Sequence, residues 1–348
     1  MSDVKATIIE ALGVLMKRET FNKAFFKVRA YKKVVEELKI SDKPIRSLAD
    51  LDNIPGVGEK IRKKVAEILE TGGLAAAEKA KEDLQLNAID VLNGVYGIGP
   101  VKAQELIGLG IKTIAQLREA IHKNPSLLND KQKIGVQYYE DILKRIPRDE
   151  MKQHEKVLLG SLVDGMKGTV VGSYRRGASD SGDVDVLITM ESKSDKVRHD
   201  AFHEYIANLK KTGYMAEVLS EGDQKCLSIV KLTPTSVSRR LDLLVIPAEQ
   251  FPYSLLYFTG SGDFNVAFRK HALKLGYTLN EHEMKLTGKV PEAKPVPKMR
   301  FEAEIFAFLG LQYKEPSERL GAYSVVELSD NMKAKVVAVK GTRKSRRA

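Results

Sequence analysis

The segment Gly172-Ser173-Tyr174-Arg175-Arg176-Gly177-Ala178-Ser179-Asp180-Ser181-Gly182-Asp183-Val184-Asp185-Val186-Leu187-Ile188-Thr189 carries the densest chemistry in the chain. Its composition predicts a strand ending at Gly172-Ser173, a basic loop, and a second strand that opens with two carboxylates. Side chains alternate across a strand, so Asp183 and Asp185 fall on one face and can ligate the same pair of divalent cations. A third carboxylate, Asp242, lies in Arg239-Arg240-Leu241-Asp242-Leu243-Leu244-Val245-Ile246, where an acid inside an apolar strand needs a metal or an arginine to offset its charge. Three carboxylates can hold two Mg²⁺ ions in the clamp used for in-line attack of a hydroxyl on phosphorus. A lone Asp-x-Asp occurs by chance in many sheets. The Gly-Ser turn upstream, the Ser-Gly before Asp183 and the third Asp make this pattern specific.

Outward from this segment the chain has two textures. From Gly168 on, short β-branched runs (169–171, 184–189, 227–232, 241–246) read as strands, with a helix over 199–211 between them. The first half reads as helical, with 3.6-residue periodicity over 21–38, 61–70 and 101–109 and Gly and Pro between the segments. A chain of 348 residues needs two or more cores, and 43% hydrophobic with 30% charged residues excludes global disorder. The net charge of +11 suits a polyanionic partner, nucleic acid first and an anionic membrane surface second. Cys226 is the only cysteine, so intramolecular disulfides and Cys-ligated zinc are excluded and a reducing compartment is expected. No apolar run reaches 18 residues, so neither a signal peptide nor a membrane span is expected.

The helical half contains a repeat at an offset of 41 residues, pairing Leu51/Leu92, Ile54/Val95, Gly56/Gly97, Val57/Ile98, Gly58/Gly99 and Val65/Leu106. Each copy predicts a helix end, a Gly-apolar-Gly turn and a second helix opening at Glu59 or Pro100. The glycines admit a close ligand and the opening amides seat a phosphate, the helix-hairpin-helix pattern of sequence-neutral DNA binding. Near the first copy lie Lys60, Arg62, Lys63 and Lys64. Upstream, Lys23, Lys27, Arg29, Lys32 and Lys33 interleave with Phe25, Phe26 and Tyr31, which suits a DNA end or single strand. Lys60 and Lys64 share a helical face, as do Lys27 and Tyr31. The lysines are either a solvated phosphate-binding face or the setting of a nucleophilic amine whose charged form is disfavoured by its neighbours.

From about Thr20 to Leu320 the chain resembles the family X DNA polymerases, in particular their beta branch. The resemblance rests on Ile54-Pro55-Gly56-Val57-Gly58, Gly97-Ile98-Gly99-Pro100, Arg145-Ile146-Pro147-Arg148, Gly172 to Gly177 and Leu256-Tyr257-Phe258-Thr259-Gly260-Ser261, in that order. It implies an α+β multidomain fold: all-α helix-hairpin-helix domains, a nucleotidyltransferase-type palm with a mixed β-sheet, and a small α/β nucleotide-selecting domain. The expected divisions are 1–79 for a deoxyribose-phosphate lyase domain, 80–147 for DNA binding, 148–248 for the palm, 249–320 for nucleotide selection and 321–348 for a basic extension. The implied activity is template-directed filling of short gaps in base excision repair, with an associated lyase.

By the same resemblance Asp183 and Asp185 bridge two Mg²⁺ ions, with Mn²⁺ the alternative, and Asp242 binds one of them and takes the primer hydroxyl's proton. Arg240 orients Asp242. Arg145, Ser173, Arg176, Ser181 and Gly182 contact the triphosphate. Tyr257, Phe258, Gly260, Asn265 and Arg269 carry the nascent base pair, Tyr257 excluding a 2′-hydroxyl. Lys64 is the Schiff-base lysine, with Lys27, Tyr31 and Lys60 in the 5′-phosphate pocket. Gly56, Gly58, Gly97, Gly99 and Lys225 belong to the DNA-contacting set, and a monovalent cation is a candidate ligand of the hairpin turns. The implied partners are gapped or nicked duplex DNA, deoxynucleoside triphosphates and other repair proteins, with no membrane and a monomeric chain.

Departures from the family pattern are Phe26 and Ala76 in the 5′-phosphate pocket, which lower the expected phosphate affinity, and Lys63 in place of an acid before the Schiff-base lysine, which bears on lyase strength. Gly262 and Val266 in the nucleotide pocket, with Leu244 in place of an arginine that acts on a metal-binding Asp, predict lower fidelity or altered closing. Residues 290–299 hold three prolines and predict a surface loop. Seven basic residues and no acid follow Asp330, as suits a nuclear address, a DNA-holding tail or a solubilising one. The expected location is nuclear in a eukaryote and otherwise intracellular. No phosphoesterase, BRCT or exonuclease segment is evident, so proofreading is not expected. The competing functions are template-independent nucleotidyl transfer, sharing the Gly-Ser and Asp-x-Asp plan, and non-catalytic holding of gapped DNA.

Overall fold

The structure, a computed structural model, describes residues 3–22, 24–41, 43–191 and 194–328, without the side chains of Leu84 and Gln85. Lys23 of the basic cluster and the tail beyond residue 328 lie outside the described residues. The chain divides into two compact units, 1–139 and 140–348. Among the described residues no helix is long and apolar enough to cross a membrane.

The first unit is all α: α1 (Lys5–Phe21), α2 (Phe25–Ile40), α3 (Glu59–Thr71), α4 (Ala75–Lys81), α5 (Leu84–Asn93), α6 (Pro100–Gly108), α7 (Ile114–Lys123) and α8 (Asp130–Gln137). The helix expected from Phe21 is split, because α1 ends at Phe21 and Asn22 closes it by donating to the Arg18 carbonyl. The reversal brings Ile8, Leu12 and Leu15 against Val34 and Leu38. Two apolar cores result, one per repeat copy. Leu51, Val65 and Ile68 are buried in the first and Leu92, Leu106 and Ala103 in the second.

The turns of the two copies superimpose in conformation. Gly56 and Gly97 have φ of 92° and 82°, a region few side chains tolerate, and Gly58 and Gly99 precede α3 and α6 with φ/ψ of −96°/177° and −92°/177°. The copies differ upstream: α5 leads into the second, whereas only a 3₁₀ turn over Leu48–Leu51 leads into the first.

The second unit carries α9 (Tyr139–Ile142) across the division, then β1 (Ile146–Pro147), α10 (Arg148–Gly160), β2 (Met166–Val170), α11 (Gly172–Arg175), β3 (Asp180–Ser181), β4 (Val184–Met190), α12 (Asp195–Lys211), β5 (Met215–Glu221), β6 (Lys225–Val230) and β7 (Arg239–Pro247). After them come α13 (Phe251–Thr259), α14 (Gly262–Lys274), β8 (Tyr277–Leu279), β9 (Met284–Leu286) and α15 (Glu302–Phe308). Residues 140–147, expected with the helical DNA-binding part, pack here instead: Asp141 accepts from the Ser238 amide at 3.0 Å and the Lys144 carbonyl from Arg239 at 2.9 Å.

A mixed five-stranded sheet runs β2-β4-β7-β6-β5, with β4 and β7 parallel and the other pairs antiparallel. One face buries Val184, Val186, Ile188, Leu241 and Leu243 against Leu158 and Phe202. On the other, Leu187, Val171 and Ile246 pack with Leu244, Phe251, Leu255 and Phe258. A separate core of Phe264, Phe268, Ile305 and Phe306 joins α14 to α15. Residues 290–299 form the expected irregular loop, but Met299 is buried in this last core, so the loop is anchored at its end.

Candidate active site

The parallel pairing of β4 with β7 builds the site. Its register sets Val184 beside Leu241 and Asp185 beside Asp242, so two acids far apart in the chain become neighbours. Burial, and then the negative charge of Asp242, push Asp185 up to about 6, against the pull of Lys225. Burial also raises Asp242, with Arg240 and Lys225 acting oppositely. Gly172, at φ 64°, makes room for this arrangement, since a Cβ there would stand 2.9 Å from Asp185 Oδ2.

Asp183 behaves differently. It precedes β4 instead of lying in it, and the register that sets Val184 against Leu241 brings Asp183 to the guanidinium of Arg240, with which it pairs. Arg240 Nε stands 3.5 Å from Asp242 Oδ1, and neither atom has a hydrogen-bond partner. Arg240 therefore spans two of the acids, whereas sequence reading assigned it to Asp242 alone. Among the described residues no three His, Cys, Asp or Glu side chains stand together as metal ligands. In this structure Asp185 and Asp242 stand side by side, while Asp183 pairs with Arg240, the counter-charge within its reach. An orphaned Asp242 oxygen beside a carboxylate of raised pKa is nevertheless a donor set that fits a hard divalent cation.

The candidate triphosphate residues surround the 172–182 segment. It forms a single helical turn, α11, where a loop was expected, and closes back with Ala178 N donating to the Ser173 carbonyl at 3.1 Å. Ser173 Oγ donates to Ser181 Oγ at 2.9 Å. Arg145 donates from Nε and Nη2 to Asp180 Oδ1, at 2.8 and 2.5 Å, and passes close over Gly182. Arg176 donates to the Thr259 carbonyl at 2.6 Å, alongside Gly260, whose φ is 65°. Sequence reading missed Arg148, which donates to the carbonyls of Tyr174 and Ala178, both at 3.0 Å, and lies over the Tyr174 ring. Its place in the 145–148 motif was the available signal.

Tyr257 and Phe258 meet edge to face at 5.1 Å. Asn265 and Arg269 share a face of α14 and line one small cavity with Tyr257 and Phe268, as their spacing predicted, but Asn265 Nδ2 is engaged with the Tyr257 carbonyl at 2.7 Å. Leu244, two residues after Asp242 in β7 and so on the same face of the sheet, packs with Phe258 in an apolar cluster, and Val266 is exposed. Lys225 opens β6, where its charge acts on both Asp185 and Asp242.

In the first unit Lys27, Tyr31, Gly56, Gly58, Lys60 and Lys64 line one open cavity of about 570 Å³ together with Arg18 and Glu19. Lys64 Nζ lies 3.5 Å from the Lys60 carbonyl. Glu19, which sequence reading overlooked, is buried and accepts from Arg18 and Lys27, both at 2.9 Å. Gly97 and Gly99 belong to the second hairpin, where Gln132 donates to the Gly97 carbonyl at 2.9 Å. Phe26 is exposed beside this first-unit cluster in sequence, at 87%.

Four family models match the chain in succession: a helix-hairpin-helix domain over residues 4–74, the fingers domain of DNA polymerase lambda over 90–143, the DNA polymerase beta palm over 145–248 and the DNA polymerase beta thumb over 254–320. Among curated proteins the chain is similar to DNA polymerase lambda of Rattus norvegicus, 31% identical over 327 residues, covering 90% of this chain and 56% of the relative. It is also similar to DNA polymerase lambda of Arabidopsis thaliana, 28% identical over 315 residues, covering 83% and 57%. The chain thus spans little more than half the length of these relatives.

Proposed function

This chain belongs to the family X DNA polymerases, and on that premise we propose that it is a template-directed polymerase that fills short gaps during base excision repair, with a 5′-deoxyribose-phosphate lyase in its first unit. The observation that carries the polymerase reading is the register of β4 and β7, which sets Asp185 beside Asp242 at the edge of the Ser173–Ser181 turn.

In this reading Asp183, Asp185 and Asp242 hold two divalent cations, Asp183 leaving Arg240 to do so. When bound, the cations acidify the primer hydroxyl and neutralise charge developing on the phosphoryl group. Asp242, with a free oxygen and a raised pKa, accepts the hydroxyl's proton. Arg145, Ser173, Arg176 and Ser181 grip the triphosphate, while Gly182 lets it approach the backbone. Tyr257 lies beside the sugar, and Asn265 and Arg269 test base-pair shape from the minor groove, where acceptors lie in nearly the same place for every pair. Lys64 attacks the abasic aldehyde through its amine, water leaves as the Schiff base forms, and β-elimination then breaks the sugar's bond to the downstream phosphate, with Lys27, Tyr31 and Lys60 on the 5′-phosphate.

Gap filling on a one-nucleotide gap, with each deoxynucleotide and with Mg²⁺ or Mn²⁺, tests the polymerase. Only the complementary nucleotide should be added, and equal extension of an unpaired strand would overturn the template requirement. Asp242→Ala should abolish addition while leaving binding to gapped DNA within about twofold. Borohydride trapping on a 5′-deoxyribose-phosphate end tests the lyase separately, and Lys64→Ala should lose the crosslink.

A further inference from the structure

The ribbon that presents Arg145 also presents an acid against it. β1 and β3 pair antiparallel, Ile146 with Ser181 and Pro147 with Asp180, and the Arg148 amide donates to the Ser179 carbonyl at 2.9 Å, so the backbone around both residues is fixed. On this ribbon Asp180 Oδ1 receives both Nε and Nη2 of Arg145, and Nη2 also reaches the Asp180 carbonyl at 3.3 Å. The pair lies on the surface, with side chains 59% and 44% exposed, so it adds little to stability. Its consequence is chemical. The two N–H groups given to one carboxylate oxygen are the parallel donors that would otherwise be given to a phosphate. Asp180 also places its negative charge one residue from Ser181 and two from Gly182, on the path of the same polyanion.

We propose that Asp180 is a positioning and affinity-setting residue: it holds Arg145 in place and competes with the incoming nucleoside triphosphate for its guanidinium, so the triphosphate must displace a built-in carboxylate to bind. This inference rests on the assignment of Arg145 to the triphosphate. It requires that Asp180 weaken triphosphate binding, and that the weakening be electrostatic and hence reduced by salt.

Kinetics of one-nucleotide gap filling by the full chain test it. Asp180→Asn and Asp180→Ala should each lower KM for the complementary deoxynucleotide by about threefold to tenfold with kcat within about twofold, Asp180→Glu should resemble the parent, and the gain should shrink from low to high ionic strength. The gain should vanish in a background of Arg145→Ala. Unchanged or higher KM in both Asp180→Asn and Asp180→Ala overturns the inference and leaves the polymerase standing. Titration of the full chain with inorganic tripolyphosphate gives a readout without turnover. Tighter binding by Asp180→Asn supports the competition even if the parent proves unable to fill gaps, and equal binding overturns it.

Discussion

At the scale of single residues, the site depends on positions where one atom more would not fit. Gly172 combines a positive φ with a Cβ position 2.9 Å from Asp185 Oδ2. Gly172→Ala should cost roughly 1 kcal/mol in backbone strain and push the Asp185 carboxylate out of line. The expected outcome is a fall in gap-filling kcat of at least about tenfold, from a chain still folded by circular dichroism, and kcat within twofold of the parent would refute that placement. His154 is fully buried, its Nδ1 2.6 Å from the Tyr214 hydroxyl, and burial holds its pKa below 6.5 against the opposing pull of Glu150. The unfolded chain therefore takes up this proton at a higher pH than the folded one. The contribution of His154 to stability is complete above pH 6.5 and declines as pH falls below it. Urea unfolding between pH 7.5 and about 5 should show a decline that is shallower in His154→Asn.

At the scale of elements, close backbone approach locates the second hairpin turn. A Cβ on Gly135 of α8 would stand 2.2 Å from the Tyr96 carbonyl oxygen, and Gln132 one turn earlier holds the Gly97 carbonyl. Gly135→Ala must shift α8 away from residues 96–97, so it should destabilise the first unit by about 1–3 kcal/mol and weaken duplex binding. Fluorescence anisotropy on gapped DNA and urea unfolding read the two effects, and an unaltered unfolding midpoint would contradict the packing. The sheet offers the parallel case: β4 and β7 bring acids together by register, and a slip of one residue would turn Asp242 to the opposite face.

At the scale of the whole chain, charge acts in two ways. Within the second unit Glu302, 5% exposed, accepts from Arg175 at 2.7 and 3.1 Å and from the fully buried Arg319 at 2.6 Å. Arg175 also donates to Thr259 Oγ1 at 2.5 Å, and the Arg319 carbonyl accepts from the Ser261 amide at 3.2 Å, so this triad fixes the turn that follows Tyr257 and Phe258. Glu302→Ala would leave two guanidiniums without their shared anion and should cost about 3–5 kcal/mol, measured by urea unfolding. A loss below about 1 kcal/mol would show that water replaces the carboxylate. The net charge of +11 predicts duplex affinity that falls linearly on logarithmic axes as salt rises.

Local chemistry was legible in the chain itself. The repeat, its glycine turns and the onset of α3 and α6 follow from residue type at fixed spacing, because φ and capping preferences act over a few residues. The strand-forming runs and the three acids were legible for the same reason. What tertiary structure decided was the company those residues keep. The order β2-β4-β7-β6-β5 made neighbours of Asp185 and Asp242, and the same register gave Asp183 to Arg240. Asp180 against Arg145, Glu19 against Lys27 and Glu302 between two arginines are likewise pairings across long stretches of chain. Periodicity reports which side of an element a residue occupies, whereas charge pairing depends on which other element the fold lays beside it, and that is settled only when the apolar faces close.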